Sequence, residues 1–165
     1  MSYETWYSRI SAPFRGEAAA RAVNVLDRAL VYLIAAVYVV VLVYLAVTGD
    51  ARFWKTLIVP AVTFALVTIV RAAINAPRPY ETCNIDPIIH KDTQGKSLPS
   101  RHLASAIIIA CALAWLNPIA GALSFVACAV VAFTRLVGGV HFPRDIAAAI
   151  VISLVCGLIG FVVTP

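Results

Sequence analysis

Apolar runs about as long as a bilayer is thick, separated by short polar breaks, dominate this chain. From Ala29 to Thr48 there is no charged residue, close to the ~20 apolar residues needed to cross a hydrocarbon core as a helix. Thr48-Gly49-Asp50 reads as a turn, and Phe53 to Ile74 predicts a second span with Lys55 near one end and Arg71 near the other. Residues 75–98 break the pattern with Pro77, Pro79, Pro87, Gly95 and several charges. A polar loop of that length inside a compact domain is more often functional than idle. Apolar runs resume from His102 to Leu116, stop at the Asn117-Pro118 turn signal, and continue from Ile119 to Val137 and from Asp145 to Val163. Residues 1–25 mix Trp6, Tyr7, Ile10 and Phe14 with charges and Pro13, which predicts an amphipathic segment lying at the membrane interface.

The expected fold class is therefore all-α: a polytopic membrane helical bundle of about five transmembrane helices plus an N-terminal interfacial helix. Composition agrees, with 62% hydrophobic and 13% charged residues against roughly 45–50% and about 25% in soluble domains. No linker or internal repeat divides the chain, so residues 1–165 read as one integral-membrane domain in a cell membrane. The first 25 residues carry Glu4, Arg9, Arg15, Glu17 and Arg21 and lack a long apolar core, so no secretory signal peptide is expected. The net charge of +5 is scattered along apolar segments instead of forming a soluble basic face. Nucleic acid is excluded as a partner on that ground, and an anionic lipid in the bilayer is favoured. Cys83, Cys111, Cys128 and Cys156 lack the paired spacing of a zinc site, and three of them lie in apolar runs, so they read as small hydrophobes.

Five spans would bring both ends of the 75–98 loop to one membrane face, together with the Gly138-to-Pro143 junction. Three polar clusters then share that face: Arg71 with Arg78-Pro79, Pro99-Ser100-Arg101-His102, and Thr134-Arg135 with His141 and Asp145. Each has a purely structural account when taken alone. Arg71 and Arg135 would snorkel to headgroups, His102 would be a polar helix start, and Pro143 with Asp145 would open a helix. Their coincidence at one level argues otherwise, because ionisable groups at or inside spans are costly and mark functional sites. Guanidinium forks suit a tetrahedral oxyanion, and a helix beginning near Ser100 adds backbone N–H donors.

In order and spacing these clusters resemble the signature of the type 2 phosphatidic acid phosphatase superfamily. That family carries a basic residue, six residues and Arg-Pro, then Pro-Ser-Gly-His, then Ser-Arg, five residues, His, three residues and Asp. Here six residues separate Arg71 from Arg78-Pro79, Pro99-Ser100-Arg101-His102 stands for the second motif, and Thr134-Arg135, His141 and Asp145 keep the spacing of the third. Arg71 replaces the more familiar lysine and Thr134 the serine; Arg101 replaces glycine and adds bulk and charge at the site mouth. The resemblance covers Arg71 to Asp145 and implies a lipid phosphatase. His141 would be the nucleophile forming a phosphohistidine, and Asp145 would hold its other ring N–H. His102 would serve as acid and then base, while Arg71, Arg78, Ser100 and Arg135 bind the phosphoryl group. Arg101 would offer a further anion contact. No metal or cofactor is expected, since arginines supply the positive charge.

Three other readings share some of these residues. A histidine and an aspartate four residues apart are also metal-ligand spacing, with His90 or His102 completing a set, although the arginines would repel a divalent cation. An anion transporter would account for the arginines but not for the two histidines and Asp145. A lipid phosphotransferase would use every catalytic residue. Phosphatidic acid, phosphatidylglycerol phosphate and polyprenyl diphosphate all present a terminal phosphate beside an apolar tail, and Arg101 tilts the expectation towards the diphosphate. Eleven of the thirteen Lys and Arg residues fall on the face of the site or in the N-terminal segment. That distribution points to the cytoplasm by the positive-inside rule, whereas the resemblance points to the outer face.

Overall fold

A computed structural model describes residues 1–163 and is all-helical, with no strand among them. Helix α1 (Tyr3–Ser11) is capped by the Ser2 hydroxyl accepting from the Thr5 N–H, and a single 3-10 turn follows at Ala12–Phe14. Helix α2 (Glu17–Thr48) is 32 residues long. It begins well before the charge-free run and takes in part of the stretch expected to lie at the interface. Glu17 in its first turn and Ala18, Ala19 and Ala20 behind it favour helix strongly, so only residues up to the 3-10 turn form a separate segment. Helix α2 stops at Gly49, whose left-handed φ of 67° returns its N–H to the Leu45 and Ala46 carbonyls.

Helix α3 (Arg52–Ile74) ends on Asn75, also left-handed. A one-turn helix, α4 (Pro79–Thr82), interrupts the polar loop. Helices α5 (Arg101–Leu116) and α6 (Pro118–Val137) form a tight hairpin. Asn117 makes the corner by accepting the Ile119 and Ala120 N–H groups at 3.0 Å while Pro118 occupies the first turn. At Gly121 a Cβ would come within 2.3 Å of Ala114, which is why the hairpin closes only on glycine. Helix α7 (Pro143–Leu158) continues as a π-helical stretch, Ile159–Val163.

Four described segments are long and apolar enough to span a membrane: Glu17–Val47, Arg52–Thr82 (α3, the break at 75–78 and α4), Pro118–Val137 and Pro143–Val163. The third expected span, α5, has 16 residues, a rise of about 24 Å at 1.5 Å per residue. It is the central helix, with Leu103, Ala104, Ala106, Ile107 and Ala110 packed among Ile34 of α2, Val67 of α3, Val131 of α6 and Ala149 of α7. Its alanines allow neighbouring backbones close approach, the usual packing of helices in lipid. Large apolar side chains on the other helices face outward, among them Val40, Tyr44, Val62, Ile69, Leu123 and Val151. This polytopic bundle is a multi-pass membrane protein with an alanine-rich central helix and many large apolar residues facing lipid.

Candidate active site

The α5–α6 hairpin brings the first residues of α5 and the last of α6 to the same end of the bundle, where α3 finishes and α7 begins. The polar loop closes over that end. Glu81 ties the loop's two limbs together: its Oε2 accepts the Arg78 N–H, and the Gly95 N–H lies 2.9 Å from its Oε1 and 3.0 Å from its Oε2, and Ser97 N–H donates to the Ala76 carbonyl at 2.9 Å. Helix α1 packs on the same end. Tyr7, 1% exposed, donates its hydroxyl to the Val137 carbonyl at 3.1 Å and accepts the Ile88 N–H at 3.2 Å. Tyr3 meets the Phe142 ring at 4.8 Å between centroids. Gly139 lies beneath with a φ of 73°, and a Cβ there would reach 2.8 Å from the Tyr7 hydroxyl. The N-terminal segment thus sits on the face of the polar clusters, as the charge distribution assumed.

His141 occupies the α6–α7 junction, 1% exposed, and Asp145 the first turn of α7, fully buried. The Asp145 carboxylate accepts the Phe142 N–H at 3.0 Å and the Ser97 hydroxyl through Oδ2, and the same oxygen lies 3.4 Å from His141 Nδ1. With the N–H on Nδ1 facing this carboxylate, Nε2 keeps its lone pair, the tautomer a nucleophile requires. Burial is the main cause that pulls the His141 imidazole down to about 4; Asp145 opposes it, while Arg135 and Arg78 reinforce it. Ser97 was not singled out by the sequence. It lies just outside the second motif, and only the fold shows it bridging to the carboxylate.

The remaining expected residues converge on the same end. Arg78 is buried, its Nε donating to the Gly95 carbonyl at 3.1 Å and its Nη1 to the Val140 carbonyl at 3.4 Å, beside His141. Arg71 donates to the Pro99 carbonyl at 3.4 Å and lies within electrostatic range of Arg78, Arg101, Arg135 and Asp145. Ser100 is the N-cap residue of α5; its N–H reaches the Asp145 carbonyl at 3.2 Å. The Ser100 hydroxyl is buried without a hydrogen-bond partner among the described residues, a donor left available to an oxyanion.

His102 and Arg135 line a cavity of about 270 Å³ with Asp27, Arg28, Val31, Tyr32 and Lys91. His141 is not part of that lining. Arg101 is not either: its guanidinium stacks over the Phe64 ring of α3 at 5.6 Å. Two of the lining residues, Asp27 and Lys91, escaped the motif reading. Asp27 is the single acid between Glu17 and Asp50, at the threshold of the first apolar run, and that position was the available signal. Lys91 is half-buried, and desolvation, with Arg135 the next cause, lowers its ammonium to about 8. Thr134 sends its hydroxyl to the Val131 carbonyl at 2.9 Å and to Asp27 Oδ1 at 3.3 Å.

Bundle and site together define a polytopic membrane protein with a basic, histidine-bearing pocket at one end. The chain belongs to the PAP2 superfamily, whose family model matches residues 52–165. The crystal structure of Aquifex aeolicus LpxE is similar, with a TM-score of 0.74 and 22% identity over 97% of this chain and 98% of that one. The crystal structure of a PAP2 type phosphatidylglycerolphosphate phosphatase from Bacillus subtilis is similar at a TM-score of 0.50 and 18% identity, covering 96% of this chain and 90% of that one. At these identities both support the fold alone. No curated protein sequence matches the chain.

Proposed function

We propose that this protein removes a terminal phosphate from a membrane lipid phosphate or diphosphate through a phosphohistidine on His141. The observation that carries the reading is the buried His141–Asp145 contact of 3.4 Å, at the same end of the bundle as His102, Arg71, Arg78 and Arg135. His141 Nε2 attacks phosphorus, and the bond to the leaving oxygen, the ester oxygen of a lipid monophosphate or the bridging oxygen of a diphosphate, breaks as His102 delivers a proton to it. His102 then takes a proton from water, which attacks phosphorus, splits the P–N bond and releases phosphate. Arg71, Arg78, Arg135 and the Ser100 hydroxyl hold the three non-bridging oxygens as charge shifts in the transition state. Arginines supply the positive charge that a metal would otherwise bring. Membership of the PAP2 superfamily supports the reading of a lipid phosphate as substrate.

Purified protein in detergent is expected to release inorganic phosphate from a lipid phosphate at an undiminished rate in excess chelator. Loss of activity restored by a divalent ion would overturn the metal-free mechanism. Phosphate appearing only on an added alcohol would make the protein a phosphotransferase, and anion binding without turnover would make it a binding protein or transporter.

A polyprenyl diphosphate is the preferred substrate in this reading, with Arg101 meeting the second phosphate. Arg101→Gly is then expected to lower kcat/KM for a diphosphate lipid by roughly tenfold or more, the loss of one charge-assisted contact. A monophosphate lipid should change little. Equal losses on both would assign Arg101 to the shared phosphoryl pocket or to its stacking on Phe64.

A further inference from the structure

Asp27 stands on α2, before the residues 52–165 that match the family model, and is 2% exposed. Its Oδ1 lies 2.7 Å from Arg135 Nε in an ion pair whose side chains are 3% and 2% exposed, and it accepts the Thr134 hydroxyl at 3.3 Å. A carboxylate in a membrane helix is costly unless it has a partner and a task. Among a cluster of cations, Asp27 holds one particular atom of one particular arginine. By occupying the Nε edge, it leaves the terminal nitrogens of the guanidinium to other work. Arg135 Nε meets Asp27 as a close ion pair without the alignment of a hydrogen bond, and Nη1 is buried with no hydrogen-bond partner among the described residues. Both residues line the cavity that also holds His102.

We infer that Asp27 is a positioning residue, clamping Arg135 through Nε so that its terminal nitrogens face the phosphoryl group. The hydroxyl of Thr134 steadies the clamp instead of touching phosphate, which gives a reason for a hydroxyl residue beside Arg135. Helix α2 thereby becomes part of the active site, supplying no reacting atom but fixing a transition-state contact. This inference rests on the reading of Arg135 as a phosphoryl-binding residue.

The test is a double-mutant cycle on phosphate release from a lipid monophosphate in detergent. Asp27→Asn is nearly isosteric and is expected to lower kcat by roughly tenfold to a hundredfold, with KM changing by less than about threefold, because orientation matters most as charge develops. Asp27→Glu should recover a good part of that loss. Added to Arg135→Ala, Asp27→Asn should cost less than about a further threefold, since the residue acts only through Arg135. Wild-type kcat in Asp27→Asn, or losses that multiply in the double variant, would overturn the inference while leaving the phosphatase reading intact. Full activity in Arg135→Ala would instead remove Arg135 from the site and the inference with it. Should Asp27→Asn not survive purification, Thr134→Val decides: it keeps both charges and loses only the steadying hydroxyl. A fall in kcat of roughly threefold or more at constant KM is expected there, and unchanged kcat overturns the clamp.

Discussion

His141→Ala is expected to lose phosphate release by roughly 10⁴-fold or more, because a displaced nucleophile leaves only binding and charge stabilisation behind. The wild-type imidazole should also be trappable as an acid-labile, base-stable phosphoenzyme after a rapid quench, and His141→Ala should not. Since His141 is 1% exposed, truncation leaves a void beside Asp145, so detergent gel filtration must accompany the assay, with His141→Asn as a variant of closer volume. The same geometry fixes a pH dependence. Burial lowers the His141 imidazole to about 4, so the neutral, nucleophilic form prevails everywhere above that value and is lost only below it. Between pH 7 and pH 5 kcat/KM should therefore show no acid limb owed to His141. Wild-type turnover in His141→Ala in a monodisperse sample would end the assignment.

The helices were legible because lipid imposes a simple rule: backbone groups must be satisfied inside each segment, so spans appear as charge-free runs. The candidate site was legible where spacing carries chemistry, as from Arg71 to Arg78 and from Arg135 through His141 to Asp145. What stayed hidden depends on contacts between distant segments. Ser97 meets Asp145 across 48 positions and Asp27 meets Thr134 across 107, separations at which no spacing rule operates. Tyr7 looked like an interfacial aromatic, yet its hydroxyl joins Ile88 to Val137 under the turn that carries His141. Helix α2 begins before the charge-free run for a different reason. Charges marked the edge of the membrane, whereas helix propensity from Glu17 onward set the edge of the helix.

His102→Gln separates the two proton transfers assigned to one residue. On a lipid phosphate, whose alkoxide is a poor leaving group, the variant should lose roughly 10²–10⁴-fold in kcat, the usual worth of a placed general acid or base. On an aryl phosphate the leaving group needs no proton, so transfer of the phosphoryl group to His141 should remain fast. The second step still needs His102 to activate water. The aryl substrate should therefore give a burst of phenol approaching one equivalent of enzyme, followed by slow turnover, with the phosphoenzyme accumulating. His102 stands in the first turn of α5 beside Arg101 and lines the cavity with Arg135, where glutamine keeps the bulk and a hydrogen-bonding end but has no proton to exchange. Equal losses on both substrates with no burst would mean that His102 supports the fold or the phosphoryl pocket, and the acid and base would have to be sought among the other lining residues, Lys91 first.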